Sequence, residues 1–159
     1  MLYLSYVHSV LSYGIIFWGI APNGINIFGK QKEILRIITN SKKMDSCREL
    51  FKTMEMLTFY SQYILSFFFL YVVNNKYLLT KNLEVHNHET RSANNFHLPI
   101  TNLINYQTGA HYPGIKIFNH LPTHLQYEVN AIQVFKLALK RFLLSNLFYS
   151  TKEYFNSNK

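Results

Sequence analysis

A chain of 159 residues, of which 48% are hydrophobic and 15% charged, has enough apolar material for a core, which excludes an intrinsically disordered chain. Its formal net charge of +8 favours polyanionic partners, nucleic acid first and an anionic membrane second. The single cysteine, Cys47, excludes an internal disulfide, is predicted to be buried, and indicates a reducing intracellular compartment, cytoplasmic or nuclear.

The first predicted element is a buried helix over residues 2–18, an apolar stretch that ends at the Ala21-Pro22-Asn23-Gly24 break. No basic region precedes this stretch and polar residues interrupt it, so we predict neither a signal peptide nor a membrane anchor. Tyr13 and Trp18 lie within it and are predicted to pack in the core, with base stacking as the alternative.

An amphipathic helix is predicted next, over residues 27–39. Its apolar face is formed by Ile27, Ile34, Leu35 and Ile38, and its polar face by Lys32, Glu33 and Arg36.

Two further helices are predicted in the first half of the chain. Residues 45–54 form a short helix in which Ser46 and Glu49 have the spacing of a capping box. Thr58 is predicted to cap a longer helix that runs to about residue 74. The apolar run of that helix is shorter than the roughly 20 residues that cross a bilayer, so a core helix is the prediction and a membrane helix the alternative.

The second half begins with an asparagine- and histidine-rich irregular segment over residues 74–112, in which a short strand is predicted at 96–98. One or two helical turns are predicted at 114–120, ended by Leu121 and Pro122. Asn130 is predicted to cap a last helix over 131–146, and Ser150 with Glu153 to cap a terminal turn. The apolar stripe of the last helix consists of Ile132, Phe135, Leu139, Phe142 and Leu143.

Together these elements predict a mainly α fold: a small helical bundle with a long irregular segment (about 75–112) and a C-terminal helix. Three regions are predicted: a helical region over 1–73, an irregular loop segment over 74–113 and a C-terminal helical region over 114–159.

Residues for catalysis are scarce in this sequence. A polymerase holds its divalent metal ions with neighbouring carboxylates, whereas this chain has one aspartate, Asp45, and no adjacent acids. It has no glycine-rich phosphate loop and no nucleophile elbow. His86, His88, His97 and His111 are the candidate metal ligands, but their spacing matches no standard site and a polar loop is favoured. We therefore predict no catalytic residue, no metal and no cofactor.

Cations are the remaining candidates for a binding role. Contact with nucleic-acid phosphates is predicted for Lys30, Lys32, Arg36, Lys42, Lys43, Lys136, Lys140 and Arg141. Such contacts neutralise phosphates and carry no sequence information. The alternative of equal weight is an ordinary solvated helix surface.

Several segments, in a consistent order, resemble the region that follows the polymerase core in jockey-type non-LTR retrotransposon reverse transcriptases. The segments are HSVLSYGIIFWG at 8–19, Gln31-Lys32, LRII at 35–38, DSCRELF at 45–51, Leu57-Thr58, QYI at 62–64, His86 with Thr90-Arg91, Asn94-Asn95 with Leu98-Pro99, GIKIFN at 114–119 with Leu121-Pro122, Phe135-Lys136, Leu139-Lys140, FYS at 148–150 and EYF at 153–155. The resemblance covers nearly the whole chain.

This resemblance implies a C-terminal fragment of an RNA-directed DNA polymerase, with a thumb-like first region that grips the template–primer. The family's catalytic aspartates match no position of this chain, so the fragment is expected to be non-catalytic by itself. Expected partners are an RNA template or RNA–DNA hybrid and the missing polymerase core, with no membrane. The alternatives are a non-functional remnant of a decayed element or truncated gene model and, more distantly, a small membrane protein.

Overall fold

A computed structural model of the chain describes residues 7–19, 23–69, 79–86, 90, 92–103, 111–127 and 131–157. The helices of these residues are α1 (His8–Ser12), α2 (Ile15–Trp18), α3 (Gly24–Ile38), α4 (Cys47–Thr53), α5 (Phe59–Phe67), α6 (Asn82–His86), α7 (His111–Asn119), α8 (Thr123–Tyr127), α9 (Ile132–Asn146) and α10 (Thr151–Asn156). The predicted mainly α fold, a small helical bundle, is therefore confirmed.

Helix α5 is the centre of the bundle. It begins as predicted at Thr58, whose hydroxyl oxygen accepts a hydrogen bond from the Ser61 amide at 3.2 Å. Nearly all its residues are buried, because α1, α2, α3 and α9 all pack against it. A π-turn continues the helix through Phe68 and Phe69, and residues 70–74 of the predicted helix lie outside the described residues.

The prediction of one buried helix over residues 2–18 is wrong for the described part. Two short helices, α1 and α2, are separated by a turn in which Gly14 has a φ of 68°, a left-handed conformation that glycine adopts without steric cost. Helix α1 has no buried residue, whereas Ile15 at the start of α2 is only 1% exposed. Residues 2–6 lie outside the described residues.

Helix α3 begins at Gly24, three residues before the predicted start, and most of its predicted apolar face packs on the core: Leu35 is buried, and Ile27 and Ile34 lie partly buried against the core. Phe28, Gln31 and Leu35 are buried, whereas Ile38, placed on the apolar face from its spacing, is 42% exposed. Gln31 is a buried polar residue on this helix. Its Oε1 accepts from the Phe59 amide at 2.7 Å and its Nε2 donates to the Leu57 carbonyl at 3.0 Å. Apolar periodicity gives no weight to a buried glutamine, so the prediction missed Gln31, and it wrongly included Ile38.

Helix α4 lies within the predicted range, and Cys47 is buried as expected. The predicted capping box is wrong, because the Ser46 side chain makes no capping hydrogen bond. A carboxylate acts in the preceding turn instead: Asp45 Oδ2 accepts from the Lys42 amide at 2.7 Å.

The described part of the irregular segment contains one short helix, α6. The strand expected at 96–98 is reduced to a single antiparallel bridge between Lys81 and Phe96. Asn119 replaces a neighbouring strand there: its amide accepts from the Phe96 N–H at 2.9 Å and donates to the Phe96 carbonyl at 2.8 Å. Because one side chain satisfies both backbone groups, no longer strand is needed at this point.

The helices of the C-terminal part follow the predictions more closely. Helix α7 starts three residues before Gly114, and α8, which begins directly after Pro122, was missed. Helix α9 buries Phe135, Leu139 and Leu143 as predicted. Ile132, the first residue of α9, is 45% exposed, so its place in the stripe is wrong. Asn130 lies outside the described residues.

The C-terminal segment closes onto the first half of the chain. The Ser150 hydroxyl caps α10 as predicted, accepting from the Glu153 amide at 3.0 Å. The Thr58 hydroxyl donates to the Phe148 carbonyl, and the Tyr149 ring lies 4.8 Å from that of Phe28. Both halves therefore contribute side chains to one hydrophobic core.

In the part of the chain that the structure describes, no helix combines the length and apolar character required to cross a bilayer.

Candidate nucleic-acid interface

The predicted phosphate contacts fall into two groups on different helices. The α3 basic group consists of Lys30, Lys32, Arg36, Lys42 and Lys43, on α3 and the loop after it. The α9 basic group consists of Lys136, Lys140 and Arg141. Helices α3 and α9 both pack against α5.

Lys30 is highly exposed but shares its charge with an acid. Its ammonium lies 2.9 Å from the Glu33 carboxylate, one turn further along α3. The hydrogen bond and the charge of Lys30 hold the pKa of Glu33 below its usual value. This pair reduces the positive potential at the middle of α3, although an exposed ion pair is easily exchanged for another partner.

Lys32 and Arg36 are half-buried and contact the protein. The Lys32 ammonium lies 4.7 Å from the centroid of the Phe28 ring and 5.8 Å from that of Tyr149, within the range of cation–π attraction. Arg36 Nη2 approaches the Asp45 carbonyl at 3.4 Å. Both side chains thus hold α3 to its neighbours as well as carrying charge.

Lys42 and Lys43 lie in the exposed loop that follows α3. Lys43 lines a shallow depression with Arg36, Asn40 and Glu33. Asn40, whose φ is 51°, turns the chain there, and the Ser41 amide donates to the Arg36 carbonyl at 2.9 Å. The two lysines are therefore the members of the α3 basic group whose side chains are most available to a ligand.

The α9 basic group occupies the exposed face of α9, opposite its buried stripe. The Lys136 ammonium lies 4.8 Å from the Phe69 ring centroid. Partial burial and then the charge of Lys140 lower the pKa of the His8 imidazole in α1. No residue of α9 is acidic. No acid on α9 therefore reduces the positive charge of the α9 basic group, whereas Glu33 on α3 reduces that of the α3 basic group.

Arg48, a cation left out of the predicted contacts, has a structural role. Its Nη2 lies 2.7 Å from Glu153 Oε1, which joins α4 to α10, and its guanidinium lies 4.6 Å from the Tyr149 ring centroid. The signal for this pairing was absent from the sequence, because 105 positions separate the two residues.

Tyr13 departs clearly from its expected burial. Its side chain is 82% exposed, so the prediction that it packs in the core is wrong. The break at Gly14 ends α1 before Tyr13 can turn inward. The side chain of Trp18 lies outside the described part of the structure.

The candidate metal ligands are only partly brought together. The rings of His86 and His97 lie 5.5 Å apart, and His111 belongs to α7, while His88 lies outside the described residues. Among the described residues, no group of three or more histidine, cysteine, aspartate or glutamate side chains could hold a metal ion.

Comparisons of the chain with models of known protein families, with curated proteins and with solved structures found no match.

Proposed function

We propose that this chain is the C-terminal part of a jockey-type non-LTR retrotransposon reverse transcriptase. It performs no catalysis alone and contacts the backbone of the template–primer within the complete RNA-directed DNA polymerase. The observation that carries the proposal is the ordered series of family-like segments, from residue 8 to residue 155. Its partners are the polymerase core and an RNA template or RNA–DNA hybrid, at an intracellular site, cytoplasmic or nuclear.

The structural roles of the matching residues support the resemblance. Gln31 bonds the backbone at the start of α5, Thr58 caps that helix, and Asn119 pairs with the backbone of Phe96. Gly114 lies directly against the ring of Phe67, where an added Cβ would be 2.0 Å from the ring. Most of these positions are determinants of packing. The resemblance therefore concerns residues that determine how the helices pack. Nucleic-acid binding depends instead on the exposed cations.

Support for backbone binding comes from charge. The chain carries 16 basic against 8 acidic residues, and the α9 basic group lies on a helix without acids. Binding of this kind releases counterions, so the logarithm of the affinity falls linearly with the logarithm of the salt concentration.

A titration of a labelled RNA–DNA hybrid, followed by fluorescence anisotropy at several salt concentrations, tests the proposal. Wild-type protein should bind at low salt and lose affinity steeply as salt rises. A variant combining Lys42→Gln, Lys43→Gln, Lys140→Gln and Arg141→Gln should bind more weakly, with a shallower salt dependence by about 0.9 per lost phosphate contact.

The matched control removes charge elsewhere: Lys81→Gln with Lys152→Gln, both at exposed positions outside the two basic groups. Per charge removed, this control should change the salt dependence less than the fourfold variant. Nucleic-acid binding would be removed from the proposal by either of two results. One is absence of binding at low salt; the other is a control that changes the salt dependence as much, per charge removed, as the fourfold variant.

A non-functional remnant is the second candidate, favoured by exposed apolar side chains. Ile25 and Ile37 of α3 are 72% and 73% exposed, and Leu137 of α9 is 58% exposed. Such surface tends to aggregate when a former partner is absent. A monomeric product that melts cooperatively and binds the hybrid would count against this candidate.

A further inference from the structure

A groove of about 510 Å³ lies where α1 approaches α3, and we call it the α1–α3 groove. Its charged lining residues are Lys30 and Glu33, both on α3 and both largely exposed. The rest of its lining is mainly aliphatic, and the aliphatic residues are Val7, Leu11, Ile25, Ile27 and Ile34. A groove with this lining offers a partner an apolar surface and one charge of each sign.

The apolar side chains of the groove are only partly covered by the fold of one chain. Leu11, Ile27 and Ile34 pack against the core with one side and remain partly exposed. Ile37, one helical turn beyond Ile34, is 73% exposed. Apolar surface left in contact with water lowers its free energy when a partner covers it, so this part of α3 favours association.

The spacing of these residues indicates that the partner is a helix. Ile27, Lys30, Ile34 and Ile37 follow one another along α3 at intervals of three, four and three residues. This is the spacing at which side chains of two paired helices meet along one seam. The seam is apolar except at Lys30, and a single lysine in such a position selects the register and orientation of the pair.

The charges select a second copy of α3 that runs antiparallel to the first. In a pair with two-fold symmetry, each contact between two different residues is made twice, once in each direction. An antiparallel pair centred on the seam brings Ile27 of one copy to Ile37 of the other, and Lys30 beside Glu33 of the other. A parallel pair in register would bring the two Lys30 side chains together, which is a repulsive contact.

Within one chain the Lys30 ammonium already lies 2.9 Å from the Glu33 carboxylate. Because both side chains are largely exposed, this ion pair contributes little by itself and is exchanged at little cost. In the antiparallel pair each ammonium has two carboxylates within its reach, and each carboxylate has two ammonium groups. The charges of α3 are therefore complementary to themselves.

We infer that the α1–α3 groove is a self-association surface, on which α3 of a second copy of this chain docks antiparallel. Ile37 of each copy enters the groove of the other, and Lys30 pairs with Glu33 across the interface. The reciprocal contact closes after two copies and builds no open aggregate. This inference goes beyond the proposed function, which concerns a single chain, and its failure would leave that proposal standing.

The first test measures the molar mass of the full chain by light scattering after gel filtration, at low salt and over a range of protein concentrations. The mass should rise from 18.8 kDa towards twice that value and no further. Ile37→Glu should raise the concentration needed for association about 10-fold or more, the effect expected for a central interface residue. Ile100→Glu is the matched control, because Ile100 is 99% exposed in a different segment and should leave association unchanged.

The second test reverses one charge at a time. Lys30→Glu and Glu33→Lys should each associate more weakly than wild type, because like charges then face each other across the interface. An equimolar mixture of the two variants should associate again, since the acid introduced at position 30 of one chain meets the base introduced at position 33 of the other. The ion pair within each chain stays broken in both variants, so recovery in the mixture reports the contact between chains.

Thermal melting of every variant shows whether its fold is kept, and the charge-reversal mixture tests the interface even if Ile37→Glu does not fold. A wild-type chain that stays monomeric at all concentrations would overturn the inference, and so would masses that keep rising beyond two copies. Equal weakening by Ile37→Glu and Ile100→Glu would show that association does not use the groove. A mixture that associates no better than either single variant would exclude the antiparallel contact of Lys30 with Glu33.

Discussion

At the residue scale, two buried tyrosines contribute differently to the stability of the fold. Tyr63 and Tyr154 are both 0% exposed, and burial raises the pKa of both phenols. The Tyr154 hydroxyl donates to the Ile117 carbonyl at 2.8 Å, joining α10 to α7. The Tyr63 hydroxyl is buried without a hydrogen-bond partner among the described residues. Desolvation of each hydroxyl costs free energy, and a hydrogen bond offsets this cost for Tyr154 only.

We therefore expect Tyr154→Phe and Tyr63→Phe to have different effects. Tyr154→Phe should lower the free energy of unfolding by about 1–3 kcal/mol, because it leaves the Ile117 carbonyl buried and unsatisfied. Tyr63→Phe should be neutral or stabilising, since it removes a desolvated group. Urea denaturation of both variants measures the difference. Equal destabilisation by the two substitutions would show that the Tyr63 hydroxyl has a partner of similar strength.

The residue scale also shows the limit of sequence-based prediction for the candidate site. The charges of Lys42, Lys140 and their neighbours could be placed on exposed surfaces from composition and helical spacing. Tyr13 could not, because its exposure depends on whether the chain turns at Gly14 or continues as one helix. Apolar content favoured the single helix. The hydrogen bond from Gln62 to Ser12, which lies next to this turn, joins residues 50 positions apart in the sequence.

At the scale of single elements, two glycines in helices have opposite surroundings. Gly114 of α7 lies against Phe67 of α5, and a Cβ on it would lie 2.0 Å from the ring. A Cβ on Gly29 of α3 would meet nothing within 4 Å. Gly114 thus allows α7 to approach α5, whereas Gly29 only lowers the helix propensity of α3.

Gly114→Ala and Gly29→Ala form a matched pair of substitutions. Gly114→Ala should destabilise the protein by about 1–3 kcal/mol, because the buried Phe67 ring must move to admit the methyl group. Gly29→Ala should stabilise it by up to about 1 kcal/mol through helix propensity. Thermal melting followed by circular dichroism measures both. A stabilised Gly114→Ala protein would mean that α7 and α5 are not held at this distance in solution.

The elements that were predicted well carry their own local signals. The Thr58 cap, the Ser150–Glu153 cap and the buried stripe of α9 depend on side chains within a few positions of one another. The capping box at Ser46 and the burial of Ile38 had the same kind of signal and were wrong. In α3 a contact with a distant part of the chain is added, because the buried Gln31 side chain bonds the backbone at the start of α5.

At the scale of the whole molecule, both halves of the chain contribute to one core. We therefore predict that the first 130 residues do not fold alone. Phe135, Leu139 and Leu143 are each 0% exposed, and α9 covers α5. Burial of one such side chain contributes about 1.5–3 kcal/mol. Their joint loss is comparable with the total stability of a small domain, about 5–15 kcal/mol.

Removing residues 131–159 should therefore abolish cooperative thermal melting measured by circular dichroism. Lys136→Gln and Lys140→Gln in the full chain serve as controls, because they change exposed positions of the same helix and should leave the melting temperature nearly unchanged. A cooperative transition in the shortened chain would mean that residues 1–130 fold without α9 and α10.

The sequence by itself determined the mainly helical class, the approximate positions of most long helices, the burial of Cys47 and the excess of positive charge. These follow from composition and from side chains close in the chain, whose effects are local. Only the tertiary structure decided that Gln31 of α3 is buried, how α10 is tied to α4, and that Tyr13 protrudes. Each of these depends on residues tens of positions apart, whose pairing requires the core to be assembled first.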